Sequence, residues 1–171
     1  MKSVTRLTLF AVSLLAVAAA QANCEPLLDA IDKLAQQSRF AAYEVDRPDQ
    51  QLPAEPDTVI IGKVGYVRSG KDWERVDMAT TVADYMNLHW KELRAEVAAG
   101  NVVCVAAGSG THRGSPVTKI TYDGKAKDSK ELESGTAWID QRTGLVVYEG
   151  TANGGLFMVY GDGVKEPVVN K

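Results

Sequence analysis

The C-terminal part of the chain alternates strand with turn, and its strands are apolar on both sides. Ala137 and Ile139 flank Trp138. Leu145 and Val147 alternate with Val146 and Tyr148. Leu156, Met158 and Tyr160 alternate with Phe157 and Val159. An antiparallel meander ordinarily keeps one face for the core and one for water. Leaving a large apolar side chain wet forgoes about 1.5–3 kcal/mol of burial, so both faces must be covered. One face suits helices; the other needs a second layer, a ligand cavity or a partner. If Ile139, Leu145, Val147 and Met158 meet the helices, then Trp138, Val146, Tyr148, Phe157 and Val159 remain as a candidate apolar-ligand face. The assignment depends on register, which the 140–145 turn sets.

The rest of the chain supplies those helices and more strands. Pro26 suits a first helical turn, and Leu27, Leu28, Ile31, Leu34 and Ala35 recur at helical spacing, predicting a helix over 25–38. Phe40–Val45 reads as a short strand. Three prolines make 47–57 a loop. Thr58–Arg68 and Trp73–Met78 read as two strands joined at Ser69-Gly70-Lys71-Asp72. Thr81 and Asp84 resemble a capping box, and Val82, Tyr85, Met86, His89, Leu93 and Val97 continue a helix over 82–99 that Gly100 closes. Strands follow at 102–107, 117–122, 136–140, 145–150 and 156–160, with a polar loop at 123–135. Helix, strands, helix, strands, with short turns between neighbours, predicts an α+β fold: a curved, half-barrel-like antiparallel sheet packed on two helices. The 40–78 strands or the second helix are the simplest second layer.

Residues 1–22 read as a cleaved export signal. Lys2 and Arg6 precede an uncharged run from Leu7 to Ala20, and Ala20-Gln21-Ala22 is a small-x-small cleavage site. The run is shorter than the ~20 apolar residues of a membrane span. Gln21 and Asn23 do not fit the residues that precede a lipidated cysteine, so Cys24 is not read as an anchor. The mature chain, 23–171, is expected to be a single periplasmic domain without a membrane span. Its two cysteines, Cys24 and Cys104, are then in an oxidising compartment, where a disulfide is favoured over a redox pair because they are far apart in sequence.

Charge removes some function classes. The whole chain has 19 basic and 22 acidic residues and a net charge of -3, against the basic stripe that nucleic-acid binding needs. The two histidines, His89 and His112, join no cysteine or carboxylate set with metal-ligand spacing. His89 reads as a helix-face residue and His112 as solvated beside a turn. Gly108-Ser109-Gly110-Thr111-His112-Arg113-Gly114 lacks both the dinucleotide-loop and the nucleophile-elbow spacing; it reads as a strand end or bulge, with Arg113-Gly114-Ser115 as a turn before the 117–122 strand. Asp128, Glu131 and Glu133 alternate with Lys125, Lys127 and Lys130 in what reads as a solvated loop. No catalytic residue, cofactor or metal is expected.

Trp138-Ile139-Asp140-x-x-Thr143-Gly144-Leu145 resembles the strand–turn–strand element of the periplasmic lipoprotein-carrier superfamily, the LolA- and LolB-like proteins. The hairpin Gly65-Tyr66-Val67-Arg68 … Trp73-Glu74-Arg75-Val76 is similar in style. The chain also has the look of several bacterial exported families of unknown function. The superfamily resemblance implies a curved antiparallel sheet closed by helices around an apolar cavity, and an apolar or lipid-like ligand. It assigns no functional residue. The resulting expectation is a non-enzymatic envelope protein with an apolar ligand in its sheet. The alternative is an interaction module whose second apolar face meets another envelope protein. A hydrolase using Ser109 and His112 ranks last, because no orienting acid accompanies them. The oligomeric state stays open.

N-terminal sequencing of protein recovered from its own envelope is expected to begin at Asn23. A blocked, acylated Cys24 would make it an anchored lipoprotein instead.

Overall fold

The computed structural model describes residues 23–78, 93–124, 134–151 and 153–169. The export segment, His89, most of the expected 82–99 helix and the charged 125–133 run lie outside them. Nine strands form one antiparallel, open and curled sheet: β1 (Arg39–Val45), β2 (Thr58–Ile61), β3 (Val64–Ser69), β4 (Asp72–Asp77), β5 (Val102–His112), β6 (Ser115–Gly124), β7 (Gly135–Asp140), β8 (Val146–Thr151) and β9 (Gly154–Tyr160). Their order is β4-β3-β2-β1-β9-β8-β7-β6-β5. Two meanders are therefore joined along one seam, where β1 pairs with β9 from Phe40↔Tyr160 to Val45↔Gly155. The 40–78 strands extend the same sheet and are not a second layer over it.

Helix α1 (residues 23–35) precedes β1, and α2, of which residues 93–98 are described, precedes β5. Helix α1 runs as far as its apolar stripe, to Ala35, and stops short of the expected 38. Gln36 and Gln37 donate their N–H groups to the Lys33 and Leu34 carbonyls (3.2 and 2.9 Å), tightening the last turn before the chain enters β1. Helix α2 ends as its sequence predicts. Gly100, at φ 74, donates to the Val97 carbonyl, and Asn101 donates to that of Glu96, which together make a Schellman motif.

Both helices lie on one face of the β5–β9 half. Leu27, Ala30, Ile31 and Leu34 of α1, with Leu93 and Val97 of α2, pack against Val102, Cys104, Ile120, Ala137, Ile139, Leu145, Val146 and Met158. Cys24, in the first turn of α1, is disulfide-bonded to Cys104 on β5, with their Cα atoms 5.0 Å apart. The bond closes a loop of 80 residues, which the chain-entropy account values at about 4–5 kcal/mol.

Two hairpin turns corresponded to visible sequence signals and one did not. Gly70-Lys71 joins β3 to β4, with Gly70 at φ 66, and Arg113-Gly114 joins β5 to β6. The expected single strand 58–68 is instead two strands, because Gly62-Lys63 is a two-residue hairpin loop with Gly62 at φ 60. Strand β5 is longer than the expected 102–107. It runs on to His112 by absorbing a bulge between Ala106 and Ser109, where Gly108 takes φ 93.

Cys104→Ser is expected to lower unfolding stability by about 2–5 kcal/mol. The non-reduced, denatured wild-type protein should show no free thiol on titration; two titrating thiols would refute the staple.

Candidate functional site

Register decides which side chains meet on the face away from the helices. Lys119 pairs with Trp138, Trp138 with Tyr148, Tyr148 with Phe157, and Phe157 with Tyr43. These residues form a row across β6, β7, β8, β9 and β1. Trp138 stacks tilted on Tyr148 (5.0 Å between ring centroids), and Tyr148 on Phe157 (4.8 Å). Val45, Tyr148 and Phe157 are buried together, with Tyr43, Leu52 and Trp138 packed against them. Val159 continues the same face toward Ala41, Val59, Tyr66 and Trp73. The Lys119 ammonium sits 4.1 Å above the Trp138 ring, a cation–π contact.

Four of the five candidate ligand-face residues, Trp138, Tyr148, Phe157 and Val159, thus share this face. Val146 does not. It packs under the helices with Ile139, because a bulge leaves Val147 without a partner on β7 and inverts the alternation. Val147 correspondingly leaves the helix side, and Ile139, Leu145 and Met158 remain there as expected.

His112 is the larger surprise. It was expected in solvent, yet its ring stacks on Phe157 at 4.4 Å with an interplanar angle of 5° and meets the Trp138 edge at 5.8 Å. Strands β5 and β9 are four places apart in the sheet, about 19 Å if it were flat. Ring stacking across that interval requires the β5–β6 tip to curl over the aromatic row. Ser109 cannot join His112 in a catalytic pair. It pairs with Thr118 and His112 with Ser115 in regular register, so two residues at odd spacing point to opposite faces.

Where this face runs out at the strand ends, a cleft of about 370 Å³ opens. Leu52, Leu145, Val147, Phe157, Met158 and Val159 give it an apolar lining from both sides of the sheet. Its polar lining comes from Gln37, Arg113, Ser115, Asp140, Thr143 and the end of β9 at Tyr160. The Tyr160 hydroxyl donates to the Val146 carbonyl, and burial pushes its pKa up.

Asp140 holds one wall of the cleft. Its Oδ1 accepts the N–H groups of Arg142 and Thr143 (both 2.9 Å) and the Thr143 hydroxyl (3.2 Å). Burial alone would raise its pKa, but these hydrogen bonds and the Arg142 charge outweigh burial and hold the carboxyl below the ordinary value. Arg142 also donates to the Ser115 hydroxyl. The Asp140-x-x-Thr143-Gly144 segment is thus a turn stapled by its own side chains, with Gly144 at φ 69. His112 is shifted down, first by burial and then by the neighbouring Arg113 charge, so it is a neutral aromatic wall at pH 7.

Arg113 itself has φ 48, the one non-glycine residue at positive φ among the described residues. That conformation costs on the order of 1 kcal/mol for a side chain that is neither Gly nor Asn. Among the described residues, no cluster of His, Cys, Asp and Glu could hold a metal ion, and no helix is long and apolar enough to cross a membrane.

No protein-family model matches the chain, and no curated protein matches it. The solved structures that align along most of its length include two from mycobacteria. One is the crystal structure of the Mycobacterium tuberculosis lipoprotein LppX, with 16% identity, covering 86% of this chain and 97% of that one at a TM-score of 0.45. The other is LprF from Mycobacterium bovis, with 13% identity, covering 89% and 95% at a TM-score of 0.42. Alignments this loose leave the site to be read from its own residues.

Two pH effects follow. Asp140 has a depressed folded pKa, so its contribution is complete above the ordinary carboxylate value of 3.8 and is lost as pH falls through the lower folded value. Asp140→Ala is expected to cost about 1–3 kcal/mol at pH 7, with a deficit that shrinks below pH 3.8. His112, also depressed, contributes stability above 6.5 that fades as pH falls through its folded pKa. In His112→Phe that loss should vanish from a denaturant series run between pH 7.5 and 5.

Proposed function

We propose that this is a non-enzymatic, exported binding protein that holds a single apolar chain in the cleft at the end of its curled sheet. The observation that carries the reading is the cleft itself: about 370 Å³, floored by apolar side chains from both faces and edged by polar ones. That volume lies at the small end of ligand pockets, which run to about 1,000 Å³, and suits one chain rather than several. Met158 gives the floor an adaptable, unbranched side chain. The aromatic row behind it is packed by the protein's own rings and by Leu52, so the ligand lies beside Phe157 and does not spread over the whole face. The resemblance of Trp138–Leu145 to the lipoprotein-carrier superfamily is in keeping with this class of ligand.

A second reading, an interaction module, has its own support. Strand β5 is an edge of 11 residues without a charged residue before His112. Val103 and Val105 are exposed on it, Val105 at 56%. The opposite edge, β4, carries Asp72, Glu74, Arg75 and Asp77 in six residues, which discourages strand addition there.

Titration with 1-decanol by calorimetry separates the two. On the binding reading, wild type binds one equivalent. Val147→Asp, at a half-buried position outside the core clusters, keeps the wild-type circular dichroism and unfolding transition but weakens binding at least tenfold. A protein that takes up no decanol and sediments as a dimer would favour the interaction module.

A further inference from the structure

We infer that the cleft selects a single-chain amphiphile with an acidic head, and that Arg113 reads that head. The inference rests on the binding reading and specifies its ligand.

Three observations converge on Arg113. It lines the same cleft as Phe157, Val159 and Val147. Its guanidinium has no ion pair or hydrogen bond among the described residues, whereas Arg142, at the same end of the sheet, is held by Asp140 and Ser115. Finally, Arg113 occupies the first position of a two-residue hairpin loop, between His112 and Ser115, at φ 48. Loops with positive φ at both central residues select Asn, Asp or Gly there, and an arginine fits this position poorly. Unfavourable backbone conformations that persist mark sites where the side chain serves another purpose.

The rest of the rim leaves this charge uncompensated. Among the described residues, the one carboxylate lining the cleft is Asp140. Its Oδ1 is filled by two backbone N–H groups and the Thr143 hydroxyl, and its Oδ2 faces Arg142 at 3.9 Å. His112, stacked flat on Phe157, makes an uncharged wall between the apolar floor and Arg113. A ligand that follows this gradient has a hydrocarbon chain against Val147, Phe157 and Met158 and an anionic oxygen at the guanidinium, where a charge-assisted hydrogen bond forms. A carboxylate and a phosphate monoester share that chemistry.

The test compares decanoate, decyl phosphate, 1-decanol and decyltrimethylammonium by calorimetry at pH 8, where His112 is neutral and both acids are ionised. Wild type should bind at least one acid about fivefold more tightly than decanol, and the ammonium most weakly. The better acid assigns the head as carboxylate or phosphate. Arg113→Asn should still bind decanol, lose the preference for acid, and raise Tm by about 2–4 °C as the turn relaxes. Equal binding of acids and decanol by wild type would overturn the inference, and so would a preference that survives in Arg113→Asn. Either result leaves the cleft as a ligand site. Failure of decanol itself to bind would overturn the underlying reading.

Discussion

Phe157 and Met158 are neighbours on β9, point to opposite faces, and are both buried. Two adjacent buried residues mean that the sheet is covered on both faces at this point, and β9 is near its middle, between β1 and β8, while Leu156 on the same strand stays exposed. The covers differ. On the Met158 side they are the apolar stripes of α1 and α2, fixed to β5 by Cys24–Cys104. On the Phe157 side there is no α-helix among the described residues; beyond Val159, Val164 packs with Ala41, Val59, Tyr66 and Trp73. The cover there is made of rings, with His112 carried in by the curl of β5–β6 and Leu52 brought back by the β1–β2 loop. Curl, aromatic row and cleft are consequences of burying a second face without a second layer.

Much of this was legible because single residues carry strong local signals. Gly100 ends α2 as its sequence position indicates, Gly70 turns β3 into β4, and the α+β antiparallel class follows from alternation and short turns. The misreadings have a common cause. Where two apolar residues stand side by side, alternation does not say which is extra. Val146 and Val147 are chemically identical, and the bulge that puts Val146 under the helices depends on how β7 and β8 twist. Gly62 was hidden for a similar reason, since β-branched and aromatic residues continue on both sides of it.

The site was less legible than the fold. His112 and Leu52 become wall and cover only through contacts between segments far apart in the chain. Nothing in Pro-rich 47–57 or glycine-rich 108–114 signals burial. Arg113 gave a faint sign that was available beforehand: an arginine in front of glycine, in a turn that disfavours it.

The seam between β1 and β9 has a temporal consequence. Strand β1 is the first strand of the chain and β9 the last, yet they are partners. In a chain that emerges from its N-terminus, β1 to β4 can assemble as a local meander while the second side of β1 stays unpaired. That side presents free backbone groups flanked by Phe40, Ala41, Ala42 and Tyr43 until all the remaining strands have arrived. The seam can therefore close only after the last strand has emerged, and until then this side of β1 is the part of the sheet most open to mispairing.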